Sequence, residues 1–233
     1  GLKVTEVVEP KGIPLSIELG PGLIGGVFDG LGRPLERLKE HSLFIERGRI
    51  ARTLDESNKW GFSPVVESGS EIKSLDILGN VKETQVLEHK ILCPHNISGK
   101  VTFIAPPGEY SIDDVICRVE SGGSESDIKM SRVWPIRKSR PAAAYLKPGT
   151  PLITGQRVLD FFFPLAKGGS AVIPGGFGAG KTVLQHQLAK WSDAEVIIYI
   201  GCGERGNEMT QVLKEFPKLL DPRSRRPLME RTV

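Results

Sequence analysis

Eight consecutive residues have the types and spacing to hold phosphate. Gly175, Gly176, Phe177, Gly178, Ala179, Gly180, Lys181 and Thr182 match the pattern G-x-x-x-x-G-K-[ST] at every position. Glycines let a backbone turn tightly, so that its N–H groups converge on phosphate oxygens. Lys181 adds a mobile positive charge for the outer phosphates, and Thr182 offers a hydroxyl to Mg²⁺. Val183, the next residue, lies beside any nucleotide held there.

A second group follows about twenty residues later, at Gly203-Glu204-Arg205-Gly206-Asn207-Glu208. A carboxylate at the end of a strand can polarise the water that attacks a terminal phosphate. An adjacent arginine can neutralise charge on the transferring group. By its residues alone the segment also reads as a solvated, charged turn.

The elements needed to position these groups are legible around them. Ser170–Ile173 is a short apolar run, read as a buried strand ended by Pro174. Val183–Lys190 reads as a helix with Val183, Leu184 and Leu188 on one face. Glu195–Gly201 is nearly continuous in apolar residues, as a parallel strand covered on both faces requires. Met209, Val212, Leu213 and Phe216 then fall at helical spacing, closed by Pro217. In open α/β sheets ligands bind beyond the carboxyl ends of strands, so the loop at 202–207 and the phosphate loop are expected on one rim.

The rest of the chain reads as β-rich. Residues 1–35 form short strands linked by glycine turns. Residues 36–136 carry a weak internal repeat, in which Gly69–Val81 overlays Pro107–Val119 with Glu71 on Glu109 and Asp76 on Asp114, an offset of 38 residues. Each copy resembles half of a lipoyl-type barrel-sandwich domain, and Ser98–Val101 resembles that fold's S-G-x-V strand. The expectation is two matching β-hairpins related by a pseudo-two-fold axis. Residues 137–233 carry the α/β signals.

Composition excludes several classes. The chain has 233 residues, enough for one or two domains, and a net charge of +3 is too small to imply nucleic acid or an acidic membrane surface. Cys93, Cys117 and Cys202 form no C-x-x-C pair, and His41, His89, His95 and His186 have no metal-ligand spacing.

Taken together, the motifs identify the chain as resembling the catalytic A subunit of the A-type and V-type rotary ATPases. The resemblance rests on Pro151–Asp160, Phe162–Gly169, the phosphate loop, Gly201–Met209 and Pro227–Val233. Leu15–Pro34 resembles the family's entry into its nucleotide domain, and residues 36–136 resemble its inserted bulge. The implied fold is an α/β P-loop (RecA-like) nucleotide-binding core, truncated, with an inserted β-rich barrel-sandwich (lipoyl-like) bulge domain. The implied activity is hydrolysis or synthesis of ATP, coupled to H⁺ or Na⁺ transport, with ATP/ADP and Mg²⁺ bound.

The resemblance also assigns roles. Glu204 positions the hydrolytic water, and Arg205 contacts the γ-phosphate. Lys181 keeps its phosphate role and Thr182 its Mg²⁺ role, while Glu208 reaches the Mg²⁺ shell through water. The implied partners are non-catalytic B subunits in an alternating A3B3 hexamer, with central-stalk and peripheral-stalk subunits. No nucleic acid and no direct membrane insertion are expected, and the implied location is the cytoplasmic face of the cell membrane. Eukaryotic members carry a cysteine where Ala179 stands, so a prokaryotic source is expected. The family also has segments that precede and follow the residues of this chain, so the chain reads as a fragment, inactive in isolation. Other readings remain open on the residues: a Rho-like RNA translocase, a swinging-arm carrier modified at Lys90, and an assembly role without turnover.

Overall fold

The computed structural model describes residues 3–10, 12–40, 44, 48–49, 51–142, 144–176 and 178–233. A first strand, β1 (Ser16–Leu19), precedes a short helix, α1 (Leu35–Lys39). Residues 60–129 then form eight strands: β2 (Trp60–Pro64), β3 (Glu71–Ile72), β4 (Ile77–Lys82), β5 (Glu88–Leu92), β6 (Gly99–Ile104), β7 (Gly108–Tyr110), β8 (Val115–Ser121) and β9 (Ser124–Lys129). A tenth, β10 (Arg132–Pro135), returns to pair antiparallel with β1. Of the strands expected in residues 1–35, the described residues form only β1 and an isolated bridge between Phe28 and Pro34.

The eight strands make two four-stranded sheets, ordered β5-β4-β2-β7 and β3-β6-β8-β9. Adding four to each strand number of the first sheet gives the second, with β7 returning to β3. The internal repeat is therefore real at the level of topology, and the two copies exchange sheets as a pseudo-two-fold relation requires. They are not hairpins, which corrects the expectation. In each copy the turn carries the chain from one sheet to the other, so β3 and β4 never pair, nor do β7 and β8. The aspartates build these corners. Asp76 Oδ2 accepts the Lys73 N–H at 2.7 Å, and Asp114 Oδ2 accepts the Ser111 N–H at 2.7 Å. Even the irregularities repeat, since β4 bulges between Ile77 and Gly79, and β8 between Val115 and Cys117.

Packing explains where the copies differ. Phe62 faces Val81 across one sheet, and Val101 faces Val119 across the other. Where the first copy has bulky Phe62 it has Gly79, whose added Cβ would collide with the Phe62 ring. Where the second has the smaller Val101 it has Cys117, fully buried. The paired volumes compensate, as a close-packed interior demands. Leu78, Val81, Ile116 and Val119 are all 0% exposed at the centre.

Two carboxylate clusters fix this barrel to its surroundings. Arg52 joins Glu18 of β1, Glu56 and Asp113, and bonds from Asp113 and Glu18 hold its guanidinium above its ordinary pKa. Glu83, nearly buried, accepts from Gly22 N–H at 2.7 Å, Ile24 N–H at 3.1 Å and the His89 ring at 2.8 Å. Next to it, Thr84 Oγ1 donates to the Glu230 carbonyl and Gly25 N–H donates to Thr232, which joins the barrel to the chain's last residues.

The second half is less regular. A two-residue pair, β11 (Pro151–Leu152) with β12 (Leu165–Ala166), flanks helix α2 (Arg157–Phe162). Helices α3 (Lys181–Trp191) and α4 (Gly206–Glu215) follow. α3 has neither glycine nor proline and stops where the chain turns extended at Ser192. After α4 the chain tightens into a 3₁₀ turn, Phe216–Lys218, that contains Pro217.

The expected strand at 170–173 does not form, because nothing pairs with it among the described residues and Val172 is 87% exposed. The run at 195–201 is also not a full strand. It makes a parallel pairing with residues 231–233, through Ile197 N–H to Arg231, Tyr199 N–H to Val233 and Val233 N–H to Ile197. Only one face is covered. Ile197 packs with Ala189, Val212, Phe216 and Leu228, whereas Ile198 and Ile200 are exposed. A buried ion pair, Arg231 to Asp221 at 3.2 Å, anchors the partner segment, and Arg231 also donates to the Ala194 carbonyl. Burial pushes the Asp221 carboxyl up, but bonds from Ser224 and the Arg231 charge outweigh it and hold the group below its ordinary value.

Candidate functional site

The glycine loop runs into the first turn of α3. Gly180 caps the helix in the left-handed conformation at φ 77°, and Gly178 has φ 78°. An L side chain at either position would be strained, so both glycines are required by the turn itself. Added Cβ atoms at Gly176, Gly178 and Gly180 would meet nothing within 4 Å. The loop thus faces open space rather than packed protein. The first N–H groups of a helix have no partner within it, and they point at that space with the positive end of the helix dipole.

Lys181 folds back over the loop and donates to the Gly175 carbonyl at 2.5 Å. The ammonium therefore spans the loop from its last residues to its first. Thr182 sits beside it in the same turn, half-buried. Phe177 lies outside the described residues. Val183 is 64% exposed, so it points away from the packed face of α3, contrary to the expected grouping with Leu184 and Leu188.

The second group begins where the half-covered strand segment ends. Gly203 is left-handed at φ 73°, and Arg205 caps α4 in extended conformation. Glu208 lies in the first turn of α4. Glu204 is half-buried, and its Oε2 is shielded from solvent with no hydrogen-bond partner. A carboxylate oxygen left unsatisfied in this way is costly, and it remains open to a hydrogen-bond donor. Met209 reaches back so closely that a Cβ at Gly201 would collide with its sulfur.

The elements that carry the two loops meet through aromatic rings. His186 of α3, Tyr199 and Phe216 form a closed set of edge-to-face contacts, with centroids 5.3 to 5.8 Å apart. Burial, then the charges of Glu204 and Glu208, push the Tyr199 phenol above its ordinary pKa. Sequence reading missed His186 and Tyr199. The available signal was spacing: His186 lies one helical turn after Thr182, and Tyr199 alternates with Ile197 on the covered face.

A groove lined by Leu152, Leu165, Leu188, Val196 and Ile198 runs between α3, the β11–β12 pair and the 195–201 segment. Among the described residues no group of His, Cys, Asp and Glu is arranged to hold a metal by itself. His41 lies outside the described residues. No described helix is long and apolar enough to cross a membrane.

Comparison with known proteins bears on both halves. Residues 51–137 match the family model of the ATPsynthase alpha/beta subunit barrel-sandwich domain. Residues 155–233 match that of the ATP synthase alpha/beta family, nucleotide-binding domain. The whole chain is 54% identical to the A subunit of the A-type ATP synthase of Methanopyrus kandleri and 55% identical to that of a Desulfurococcus species. It is 50% identical to the V-type ATP synthase alpha chain 2 of Clostridium tetani. In each case the chain spans 40% of the relative's length.

Proposed function

The chain belongs to the family of A-type and V-type ATP synthase A subunits, and we propose that it carries the phosphate-binding loop and the water-positioning carboxylate of an ATP-hydrolysing or ATP-synthesising rotary motor subunit. The observation that supports this best is the loop itself. Two left-handed glycines, an open face and a lysine bridging the loop's ends are built at one helix N-terminus. In this reading Gly175, Gly176, Phe177, Gly178, Ala179 and Gly180 surround the phosphates of ATP or ADP, and Lys181 leaves the Gly175 carbonyl to bind them.

Fit to Mg²⁺ follows from the chemistry of the donors. The Thr182 hydroxyl, beside Lys181 in the first turn of α3, is a hard oxygen ligand, and in this reading the Glu208 carboxylate, in the first turn of α4, serves the outer shell. The metal supplies charge neutralisation on the phosphates when bound. Glu204, with an oxygen that has no other partner, orients the attacking water, and Arg205 contacts the terminal phosphate. A RecA-like core, coupling to H⁺ or Na⁺ transport, A3B3 assembly with B subunits and stalk subunits, and a peripheral place at the cytoplasmic face of the membrane complete the reading.

The test uses the full-length protein in its assembled complex. Lys181→Ala is expected to weaken ATP binding in isothermal titration and to suppress turnover, since the ammonium binds phosphates in both ground and transition states. Equal ATP affinity in parent and mutant overturns the assignment.

A further inference from the structure

We propose that the cationic turn that follows β10, in which Arg132, Lys138 and Arg140 gather on Trp134, is a docking surface for an acidic peptide segment of a partner protein.

Elsewhere in the chain Arg33, Arg37, Arg52, Arg118, Arg226 and Arg231 each pair with a carboxylate. Among the described residues, Arg132, Arg137, Lys138 and Arg140 form no such pair. Three of them gather about one ring instead. The Arg140 guanidinium carbon lies 4.5 Å from the Trp134 ring centroid, the Lys138 ammonium 5.5 Å and the Arg132 guanidinium carbon 6.0 Å. The ring itself is fixed. It is 5% exposed, its Nε1–H donates to the Lys138 carbonyl at 2.7 Å, and the His95 ring meets it edge-on at 5.1 Å. The Lys138 N–H donates to the Pro135 carbonyl at 3.0 Å, which closes the turn, and the Lys138 ammonium lies 3.2 Å from His95 Nε2. Arg137, Lys138 and Arg140 are exposed.

Gathering like charges is unfavourable, and the indole face offsets only part of the repulsion. Burial, then the Arg140 charge, holds the half-buried Arg132 guanidinium below its ordinary pKa. Carboxylates brought by a partner relieve that repulsion, and a turn already held in place loses little freedom on binding them. A peptide fits this surface better than other anions do. The cations are strung along residues 132–140 with Ile136, 53% exposed, among them. That arrangement suits a chain that carries several carboxylates and an apolar side chain, rather than one compact ion. Nucleic acid binds by stacking bases on open aromatic rings, and the Trp134 ring is closed.

The experiment measures fluorescence anisotropy of a labelled peptide of alternating Glu and Leu, titrated with the full-length subunit. Binding is expected, and it should weaken several-fold between about 50 mM and about 300 mM salt. The double variant K138Q/R140Q should weaken it about five- to tenfold, the scale of two exposed ion pairs lost. The variant K82Q/K90Q removes as much charge from exposed positions on β4 and β5, and it should leave binding unchanged. Absence of peptide binding overturns the proposal. Equal binding of a peptide with Gln in place of Glu does so too, as does an equal loss in the two double variants, which would make net charge the cause. If sulfate displaces the peptide more strongly than chloride at equal ionic strength, the cations serve a compact anion and the proposal falls. It falls as well if phosphatidylglycerol vesicles capture the subunit through Lys138 and Arg140 while the peptide does not bind, because the surface is then a lipid contact.

Discussion

The barrel at 60–129 and the half that follows it solve the same problem with unequal completeness. Both must bury β-branched and aromatic side chains. The barrel does so within seventy residues, through antiparallel neighbours and two copies that supply each other's missing face, and its central side chains are 0% exposed. The half that carries the phosphate loop has an equally apolar segment at 195–201, yet it covers one face only and pairs with just three residues. Antiparallel strands close with short turns, whereas parallel strands need long crossovers before they meet. Local repetition thus yields a finished core early, and the site-bearing half depends on contacts far apart in sequence.

The largest expected effects lie at the barrel's centre. Leu78 and Ile116 are repeat equivalents, both fully buried, and each accepts one backbone bond, from Val65 and Ala105 respectively. Leu78→Ala and Ile116→Ala should each cost about 2–5 kcal/mol in denaturant unfolding, through lost burial and the cavity left behind. Pseudo-symmetry further requires similar costs. A large loss at one site with near-neutrality at the other would break the equivalence of the copies.

Next is the junction between the two regions. Burial pushes the Glu83 carboxyl up, but bonds from His89, Gly22 and Ile24 outweigh it, so its pKa is lowered on folding. A lowered carboxylate contributes stability that is complete above its unfolded value and is lost as pH falls through the folded one. Glu83→Gln should therefore be less stable than the parent by about 1.5–3 kcal/mol at neutral pH, the range for bonds to a buried charge. That gap should close as pH drops below the ordinary glutamate range. Urea midpoints of both proteins from pH 7 to pH 3 check this, and a gap that stays constant with pH would remove the charge argument.

A smaller effect tests the volume exchange between copies. Gly79→Ala drives a methyl group against the Phe62 ring and the Ser63 carbonyl, and overpacking of this kind costs about 1–3 kcal/mol. Combining it with Phe62→Val, the residue type that stands at the equivalent place in the other copy, should recover part of the loss. Thermal melts of the single and double mutants decide it: strictly additive losses would mean that the two positions are not coupled.

The same contrast explains what the sequence could reveal. The phosphate loop is legible because eight contiguous residues carry its whole geometry, down to the left-handed glycines. The repeat is legible because Asp76 and Asp114 make the same local bond. Hairpins are the wrong inference, since sequence shows that a chain turns but not which sheet receives it. The segment at 195–201 reads as covered on both faces because the five residues from Val196 to Ile200 all suit burial, while actual coverage depends on distant partners. His186 and Tyr199 are invisible in the sequence for a related reason. Their meeting depends on how α3 packs against residues near 216, and no short motif encodes that.

The smallest expected effect probes the uncovered face directly. Ile198 is 69% exposed and Ile200 77% exposed, whereas their neighbour Ile197 is 8% exposed. Threonine keeps the β-branch that suits extended backbone, so Ile198→Thr and Ile200→Thr alter almost nothing but apolar area already in contact with water. Each should change the stability of this chain by no more than about 0.5 kcal/mol, as surface substitutions do. Ile197→Thr should cost several times more, because it places a hydroxyl among Ala189, Val212, Phe216 and Leu228. Exposed apolar area on an unpaired edge also invites association between chains, so the two outer substitutions should raise the concentration at which light scattering first detects aggregates. Equal losses at 197, 198 and 200 would show that the segment is covered on both faces in solution, and the contrast with the barrel would then vanish.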